Sequence, residues 1–208
     1  MANYALIAVN VLAFLYEISL GESLVPFLER NAVIPARLLG GPLSIRLALT
    51  PVTAMFLHAG WMHLLGNMLY LFIFGDNVED TLGHGVYLLF YLLSGMASFA
   101  VQVLFQSASQ VPNLGASGAI AGVLGAYFLL FPRARVVTLL PFFVVVEIPA
   151  VIFLGLWFLL QFLSGAASLG RAASEGGVAW WAHIGGFVAG VVLLKVLGGS
   201  VRRRQYSI

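Results

Sequence analysis

The stretch VPNLGASGAIAGVLGAYFLLFP, residues 111–132, decides what kind of fold this sequence can form. From Ala116 to Phe131 its residues are almost all apolar, and the exceptions are Ser117 and Tyr127. Ser117 lies where a polar, proline-containing loop passes into the apolar run. Such a serine is either a small residue that caps a helix or lets helices pack, or a group that reacts.

The composition favours a membrane protein. Of the 208 residues, 61% are hydrophobic and only 9% are charged, whereas about a quarter of a soluble domain is normally charged. So few charges cannot cover a water-facing surface, and a lipid bilayer is therefore the expected environment. A net charge of +2 without a long basic stripe argues against nucleic acid as a partner. The absence of cysteine excludes disulfides, thiolate metal sites and a cysteine nucleophile.

Six apolar stretches are long enough to cross a bilayer as helices, which takes about 20 residues. They lie near 4–20, 57–75, 85–106, 115–131, 142–164 and 178–198. We therefore predict one all-α membrane domain over residues 1–208, a bundle of six transmembrane helices. The long loop 21–50 between helices 1 and 2 is amphipathic and is expected to lie partly in the membrane interface. The apolar N-terminal stretch lacks the features of a signal peptide and is expected to be a retained span.

The basic residues near the span ends predict the orientation. If both termini are cytoplasmic, six of the ten basic residues lie inside and four lie outside. Most of this bias comes from the tail VRRRQYSI, 201–208. We therefore predict a multi-pass protein with both termini in the cytoplasm.

Histidines in or beside a span are informative because lipid rejects such residues. His63 and Asn67 are four residues apart and share a helical face. They either hydrogen-bond one helix to another or belong to a site. His58 lies off that face, where it could tie down the end of the first loop. His84 stands between two glycines and is expected in a solvated loop.

His183 shares a helical face with Gly186 and Gly190. The GxxxG spacing allows another backbone to come close, so His183 should point at a neighbouring helix. If that helix is the one that begins at Ser117, the histidine could activate the serine through a hydrogen bond. The N–H groups of the first helical turn would then stabilise a developing anion. Packing alone is the alternative interpretation of these small residues.

Three motifs in this order resemble the rhomboid intramembrane serine proteases. They are HAGWMHLLGNMLYLF at 58–72, GASG at 115–118 and AHIGGFVAG at 182–190. The resemblance extends to the six-span layout and the long first loop. It implies a serine endopeptidase, of prokaryotic type and located in the cell (inner) membrane. Such an enzyme cleaves transmembrane protein substrates near the outer face and needs no cofactor.

The resemblance also assigns roles to individual residues. It implies that Ser117 is the nucleophile and His183 the general base, and that His63 and Asn67 bind the oxyanion with the N–H of Ser117. Glu79 matches an acidic position that the family has after the second span. The sequence departs from the family at Ile45, which replaces a tryptophan before an arginine, and at Ala121, which replaces an aromatic residue stacked on the catalytic histidine. Another group must therefore orient the histidine here.

A channel, a metal-dependent hydrolase and an inactive binding protein are alternatives to a protease. No acidic residue is predicted near the serine, so a Ser–His dyad is favoured over a triad. A polar-lined channel or transporter would use the same histidines, but the sequence shows no inverted repeat. A metal-dependent hydrolase could take His58, His63 and His183 as ligands, although the sequence lacks a His-Glu-x-x-His motif, and no metal is predicted. A binding-only relative without activity is disfavoured because both the serine and the histidine are present. The oligomeric state and the natural substrate do not follow from the sequence.

Overall fold

The computed structural model describes residues 1–42, 44–140, 144–169 and 178–198, and this part of the chain is mostly helical. The α-helices are α1 (Ala2–Ser19), α2 (Leu24–Asn31), α3 (Pro35–Gly40), α4 (Ile45–Ala54), α5 (Trp61–Leu82), α6 (His84–Phe105), α7 (Ser117–Leu130), α8 (Ala150–Ser168) and α9 (Trp180–Leu197). A 3₁₀ turn, Gly21–Ser23, follows α1. Strands β1 (Arg135–Leu140) and β2 (Val144–Pro149) form an antiparallel pair.

Four helices of the described chain, α1, α6, α8 and α9, are long and apolar enough to cross a membrane. The other two predicted spans are also helical. However, α5 carries three acidic residues near its C-terminal end, and α7 has only 14 residues. A membrane protein with at least four apolar spans is therefore supported, while a six-span bundle stays a prediction.

The predicted fifth span, 142–164, is wrong over residues 144–149, and the described chain, although mostly helical, also contains an antiparallel pair of strands. Val144–Pro149 is a strand that pairs with Arg135–Leu140, and α8 begins only at Ala150. Glu147 therefore lies on an exposed strand and not in a helix. Its Oε2 atom is 3.9 Å from Nε of Arg135. Both strands are rich in valine, whose branched side chain favours extended backbone. Hydropathy alone does not distinguish such a strand from a helical segment.

Much of the predicted first loop, 21–50, is helical in the structure. Residues 21–50 contain the 3₁₀ turn, α2, α3 and the first part of α4. This segment is fastened to the chain that precedes α7: Val33 and Asn113 exchange backbone hydrogen bonds of 2.9 and 2.7 Å. The segment that precedes Ser117 is thus hydrogen-bonded to a part of the chain that is distant in the sequence.

The second predicted span, 57–75, corresponds to α5. This helix extends beyond residue 75, through FGDNVED to Leu82. Glu79 is fully buried and accepts hydrogen bonds from the backbone N–H groups of Ala2 and Asn3, at 2.6 and 2.7 Å. It therefore satisfies the first turn of α1, whose N–H groups have no partner within the helix. His84 also bonds to Glu79 and begins α6. His84 is exposed, as expected, but it is the first residue of a helix and not part of a loop.

Helix α7 lies in the centre of the described fold, packed against α5, α6, α8 and α9. All ten residues from Gly118 to Tyr127 are buried. At 1.5 Å per residue, its 14 residues extend about 21 Å, which is shorter than the roughly 30 Å hydrocarbon core of a bilayer. Such a helix cannot span the core by itself, so at least one of its ends lies below the membrane surface.

Candidate active site

The first residue of α7 and an early residue of α9 meet in a hydrogen bond. Ser117 Oγ lies 2.8 Å from Nε2 of His183, although the two residues are 66 positions apart. The N-cap of α7 is Ala116, so Ser117 already lies inside the helix and its hydroxyl is directed at the histidine. The structure therefore brings the two predicted reacting groups together.

Glycines allow α7 and α9 to approach this closely. A Cβ added at Gly186 would overlap the carbonyl oxygen of Gly118. A Cβ added at Gly190 would overlap the carbonyl oxygen of Gly122 in the same way. The two backbones are thus in direct contact, as the GxxxG spacing predicts. The contact continues at Ala121, whose Cβ would lie 3.2 Å from a Cβ added at Gly186.

A side chain of α8 orients His183, and the sequence did not predict this contact. Oε1 of Gln161 lies 2.7 Å from Nδ1 of His183 and accepts the Nδ1–H hydrogen bond. With the proton on Nδ1, Nε2 of a neutral imidazole has its lone pair available to accept the O–H of Ser117. Two indole rings flank the imidazole, with centroid distances of 5.9 Å for Trp157 and 6.4 Å for Trp180. The signal for Gln161 was present in the sequence, as a polar side chain in an apolar helix.

His63 lies close to Ser117, across Gly115. The Nδ1 atom of His63 accepts a 3.4 Å hydrogen bond from the backbone N–H of Ala59, so the proton of the neutral ring is on Nε2. A Cβ added at Gly115 would lie 2.7 Å from this Nε2 and 3.7 Å from the Oγ of Ser117. Gly115 also has a φ of 125°, a conformation that only glycine adopts readily. A donor N–H of His63 is thus directed towards the space beside the serine.

Asn67 is buried one turn further along α5 and is held by a second histidine. Its Nδ2 atom donates to Nε2 of His58 over 3.0 Å. An amide nitrogen carries two N–H donors, and this bond uses one of them. The backbone N–H of His58 lies 3.3 Å from both carboxylate oxygens of Glu17, at the end of α1. His58 therefore does tie down the chain before α5, and it also fixes the amide of Asn67.

A further residue that the sequence did not indicate holds the beginning of α9. Oε1 of Gln102, on α6, accepts a 3.0 Å hydrogen bond from the backbone N–H of Ala182. This N–H belongs to the first turn of α9, where backbone donors lack a partner within the helix. The bond places the residue before His183 directly against α6.

The three-histidine metal site is not supported. Among the described residues, no group of three or more His, Cys, Asp or Glu side chains could hold a metal ion. Both ring nitrogens of His183 are already engaged, by Ser117 and Gln161, and Nε2 of His58 is engaged by Asn67. These contacts are those of a hydrogen-bonded site rather than a ligand set.

Comparisons with known proteins show which family the chain is similar to. The family described as Rhomboid domain matches residues 48–200. Rhomboid protein 1, mitochondrial, of Saccharomyces cerevisiae is 29% identical over 209 residues, which cover 97% of this chain and 55% of the yeast protein. Rhomboid protease GluP of Bacillus subtilis is 31% identical over 156 residues, covering 75% of this chain and 28% of GluP. RHOMBOID-like protein 6, mitochondrial, of Arabidopsis thaliana is 43% identical over 75 residues, which are 36% of this chain and 24% of that protein.

The fold and the matched region define an integral membrane protein. Because the family match covers most of the chain, the protein belongs to the rhomboid family. The chain spans about half or less of the length of these curated relatives.

Proposed function

We propose that this protein is an intramembrane serine endopeptidase with a Ser117–His183 dyad. The observation that carries the proposal is the 2.8 Å hydrogen bond between Oγ of Ser117 and Nε2 of His183. A serine hydroxyl is a weak nucleophile until a base takes its proton, and the tautomer of His183 leaves Nε2 ready for that proton. The family membership supports the same chemistry, and one relative carries the name rhomboid protease.

In the first half of the reaction, Oγ of Ser117 attacks the carbonyl carbon of the substrate peptide bond while its proton moves to Nε2 of His183. The carbonyl oxygen becomes an oxyanion. Its donors are the backbone N–H of Ser117 in the first turn of α7, the Nε2–H of His63 and the remaining amide N–H of Asn67. Such donors act most strongly where water is excluded, because the local dielectric constant is low.

In the second half, the imidazolium of His183 gives its proton to the leaving amine nitrogen and the C–N bond breaks. This leaves an ester between the substrate acyl group and Ser117. A water molecule then transfers a proton to His183 and attacks the ester carbon through a second oxyanion. Collapse of this intermediate returns the proton to Oγ of Ser117 and releases the new carboxyl group.

The substrates are proposed to be transmembrane proteins that are cut near their outer ends. Ser117 begins a helix that is too short to span the hydrocarbon core, which would place the serine below the outer surface. A peptide bond inside an intact helix is shielded, so the substrate helix must unwind locally at the cut. The resemblance to rhomboids adds a preference for a small residue just before the cut. Both termini in the cytoplasm, a prokaryotic cell membrane and a single six-span domain over 1–208 belong to the same proposal.

The test is cleavage of a transmembrane substrate by purified protein in lipid vesicles. Ser117→Ala should abolish cleavage and preserve folding, since it removes one hydroxyl and keeps a small residue at a packed position. Ser19→Ala is the matched control, because the Ser19 hydroxyl is exposed and bonds only locally, to the carbonyl of Tyr16. Cleavage by Ser117→Ala at nearly the wild-type rate would show that the serine mechanism is wrong.

Two additional measurements separate the proposal from its alternatives. A fluorophosphonate should label Ser117 in the wild type and should not label His183→Ala, because the unassisted hydroxyl is a weak nucleophile. A channel would show no such pair of results. A chelator should leave cleavage unchanged, whereas loss of activity that zinc restores would favour metal chemistry.

A further inference from the structure

Gln161 is buried in a helix whose neighbouring residues face outward. Only 8% of its surface is exposed, whereas its neighbour Leu160 is 61% exposed. A polar side chain in an apolar transmembrane helix is costly unless its polar atoms are bonded. The bond that Gln161 makes with its carbonyl oxygen is to Nδ1 of His183.

We propose that Gln161 is a positioning residue of the dyad: its carbonyl oxygen holds the Nδ1 proton of His183 and thereby fixes both the tautomer and the ring plane of the base. The inference rests on the proposed function, since it assigns a third member to the same site. In a neutral imidazole only one nitrogen carries a proton. An acceptor at Nδ1 therefore determines that Nε2 is the nitrogen that faces Ser117 without a proton.

A neutral amide suits this position in a membrane. During attack by Ser117, the ring of His183 gains a proton and a positive charge. The dipole of the Gln161 carbonyl faces the Nδ1–H of that ring, so it stabilises the charge as it forms. A carboxylate would stabilise the imidazolium more strongly, but it would carry a buried negative charge whenever the ring is neutral, and burying such a charge is costly.

The same helix also limits rotation of the ring. Trp157 is one turn before Gln161 on α8, so both side chains lie on the face that meets α9. Its indole lies 5.9 Å from the imidazole centroid, tilted by 33°. Ala121 leaves the serine-bearing helix without an aromatic partner for the histidine. The orientation of the base is thus supplied by α8, through one hydrogen bond and one ring.

The experiment compares Gln161→Met with Gln161→Glu in the whole 208-residue chain in vesicles. Methionine has a similar length and volume but only a weak acceptor, whereas glutamate keeps an oxygen where the amide has one. We expect kcat of Gln161→Met to fall about 10- to 100-fold, less than the ~10⁴-fold loss when the acidic member of a Ser-His-Asp triad is replaced. KM should stay within about twofold of the wild-type value. The thermal midpoint should stay within about 3 °C of the wild-type value.

Gln161→Glu should recover a large part of the lost kcat, although it introduces a carboxyl group into an apolar helix. Fluorophosphonate labelling of Ser117 should slow with methionine and recover with glutamate in the same proportion. Leu160→Met is the matched control: it places a methionine one residue away, on the exposed side of α8, and should leave both rates unchanged.

The outcomes separate this inference from the proposed function. If Gln161→Met cleaves at the wild-type rate, the positioning role is wrong, and loss of cleavage in Ser117→Ala would still support the protease. If both Gln161 variants lose activity in step with a lowered thermal midpoint, Gln161 is only a packing residue and the inference is overturned. If Ser117→Ala retains cleavage, the proposed function fails first, and the role of Gln161 fails with it.

Discussion

Helices α7 and α8 both contact α9 beside His183, but they do so in different ways. Between α7 and α9 the backbones touch: a Cβ at Gly125 would overlap the carbonyl oxygen of Phe187, and one at Gly122 would lie 3.3 Å from the carbonyl oxygen of Gly186. Between α8 and α9 side chains intervene. A Cβ at Gly165 would meet Cδ1 of Ile184 at 3.2 Å and Cε2 of Trp181 at 3.4 Å.

The difference separates two requirements of a Ser–His pair. The distance between the serine and the histidine depends on the α7–α9 contact, which is rigid because backbone atoms cannot move aside. The orientation of the histidine depends on α8, through Gln161 and the ring of Trp157. Residues 118–127 of α7 are all buried, whereas large apolar side chains of α8 are exposed, as expected beside lipid. Substitutions in the two contacts should therefore have different consequences.

The largest combined effect on activity and stability is expected when the backbone contact is broken with Gly186→Val. The valine side chain would overlap the carbonyl of Gly118, so α9 must move away from α7. A misplacement of about 1 Å can lower turnover by about 10²-fold, and we expect at least this loss in cleavage. The thermal midpoint in vesicles or detergent should fall as well. Valine is fully compatible with lipid, so the loss would come from the helix contact. Unchanged activity and stability would show that the two backbones are not in contact.

A second prediction extends the comparison to α5, whose N-terminal half carries His63 and Asn67. Asn67→Ala should lower kcat by about 10²–10³-fold and change KM little, because removal of one oxyanion donor has this effect. His63→Ala should act in the same direction. Steady-state kinetics on a model substrate provides the measurement.

The control for this prediction lies on the same helix. Asn77→Ala makes the identical change at an exposed position of α5, ten residues away, and should leave kcat unchanged. If Asn67→Ala instead raised KM at constant kcat, Asn67 would bind the substrate ground state, and its oxyanion role should be dropped.

The smallest effect is expected with Gly155→Ala, at a glycine of α8 that faces a side chain of α7. A Cβ at Gly155 would meet Cε2 of Phe128 at 3.9 Å, which is an ordinary contact. Alanine is favoured over glycine in a helix by about 0.5–1 kcal/mol, so the thermal midpoint should stay the same or rise slightly, and cleavage should persist. A large loss of stability would mean that α8 packs on α7 as closely as α9 does.

The sequence predicted part of this arrangement well. Apolar length located the six principal helices, although it ended α5 too early and began α8 too soon. The glycine spacing predicted that the helix of His183 packs closely on another helix. The change from a polar loop to an apolar run predicted that Ser117 begins a helix, and α7 does begin at Ser117. The catalytic roles of these residues stay proposals that the experiments above address.

Other features could not be predicted because they depend on distant partners. Val144–Pro149 fell within a predicted span, and only its pairing with Arg135–Leu140 shows that it is a strand. His84 stands between two glycines, which suggests a loop, but Glu79 fixes it at the start of α6. The basic tail on which the predicted orientation depends lies outside the described residues. Gln161 was visible as a polar residue in an apolar helix, but nothing local identifies His183 as its partner.

By itself, the sequence determined the apolar spans, the membrane environment and the small residues that let two helices meet, because these depend on hydropathy and on periodicity within a single helix. Only the tertiary structure decided which helices meet, which nitrogen of His183 faces Ser117, and that α8 rather than α7 orients the ring. These features depend on hydrogen bonds between side chains 22 and 66 residues apart. The geometry of such bonds is set by the packing of whole helices, which no local pattern of residues specifies.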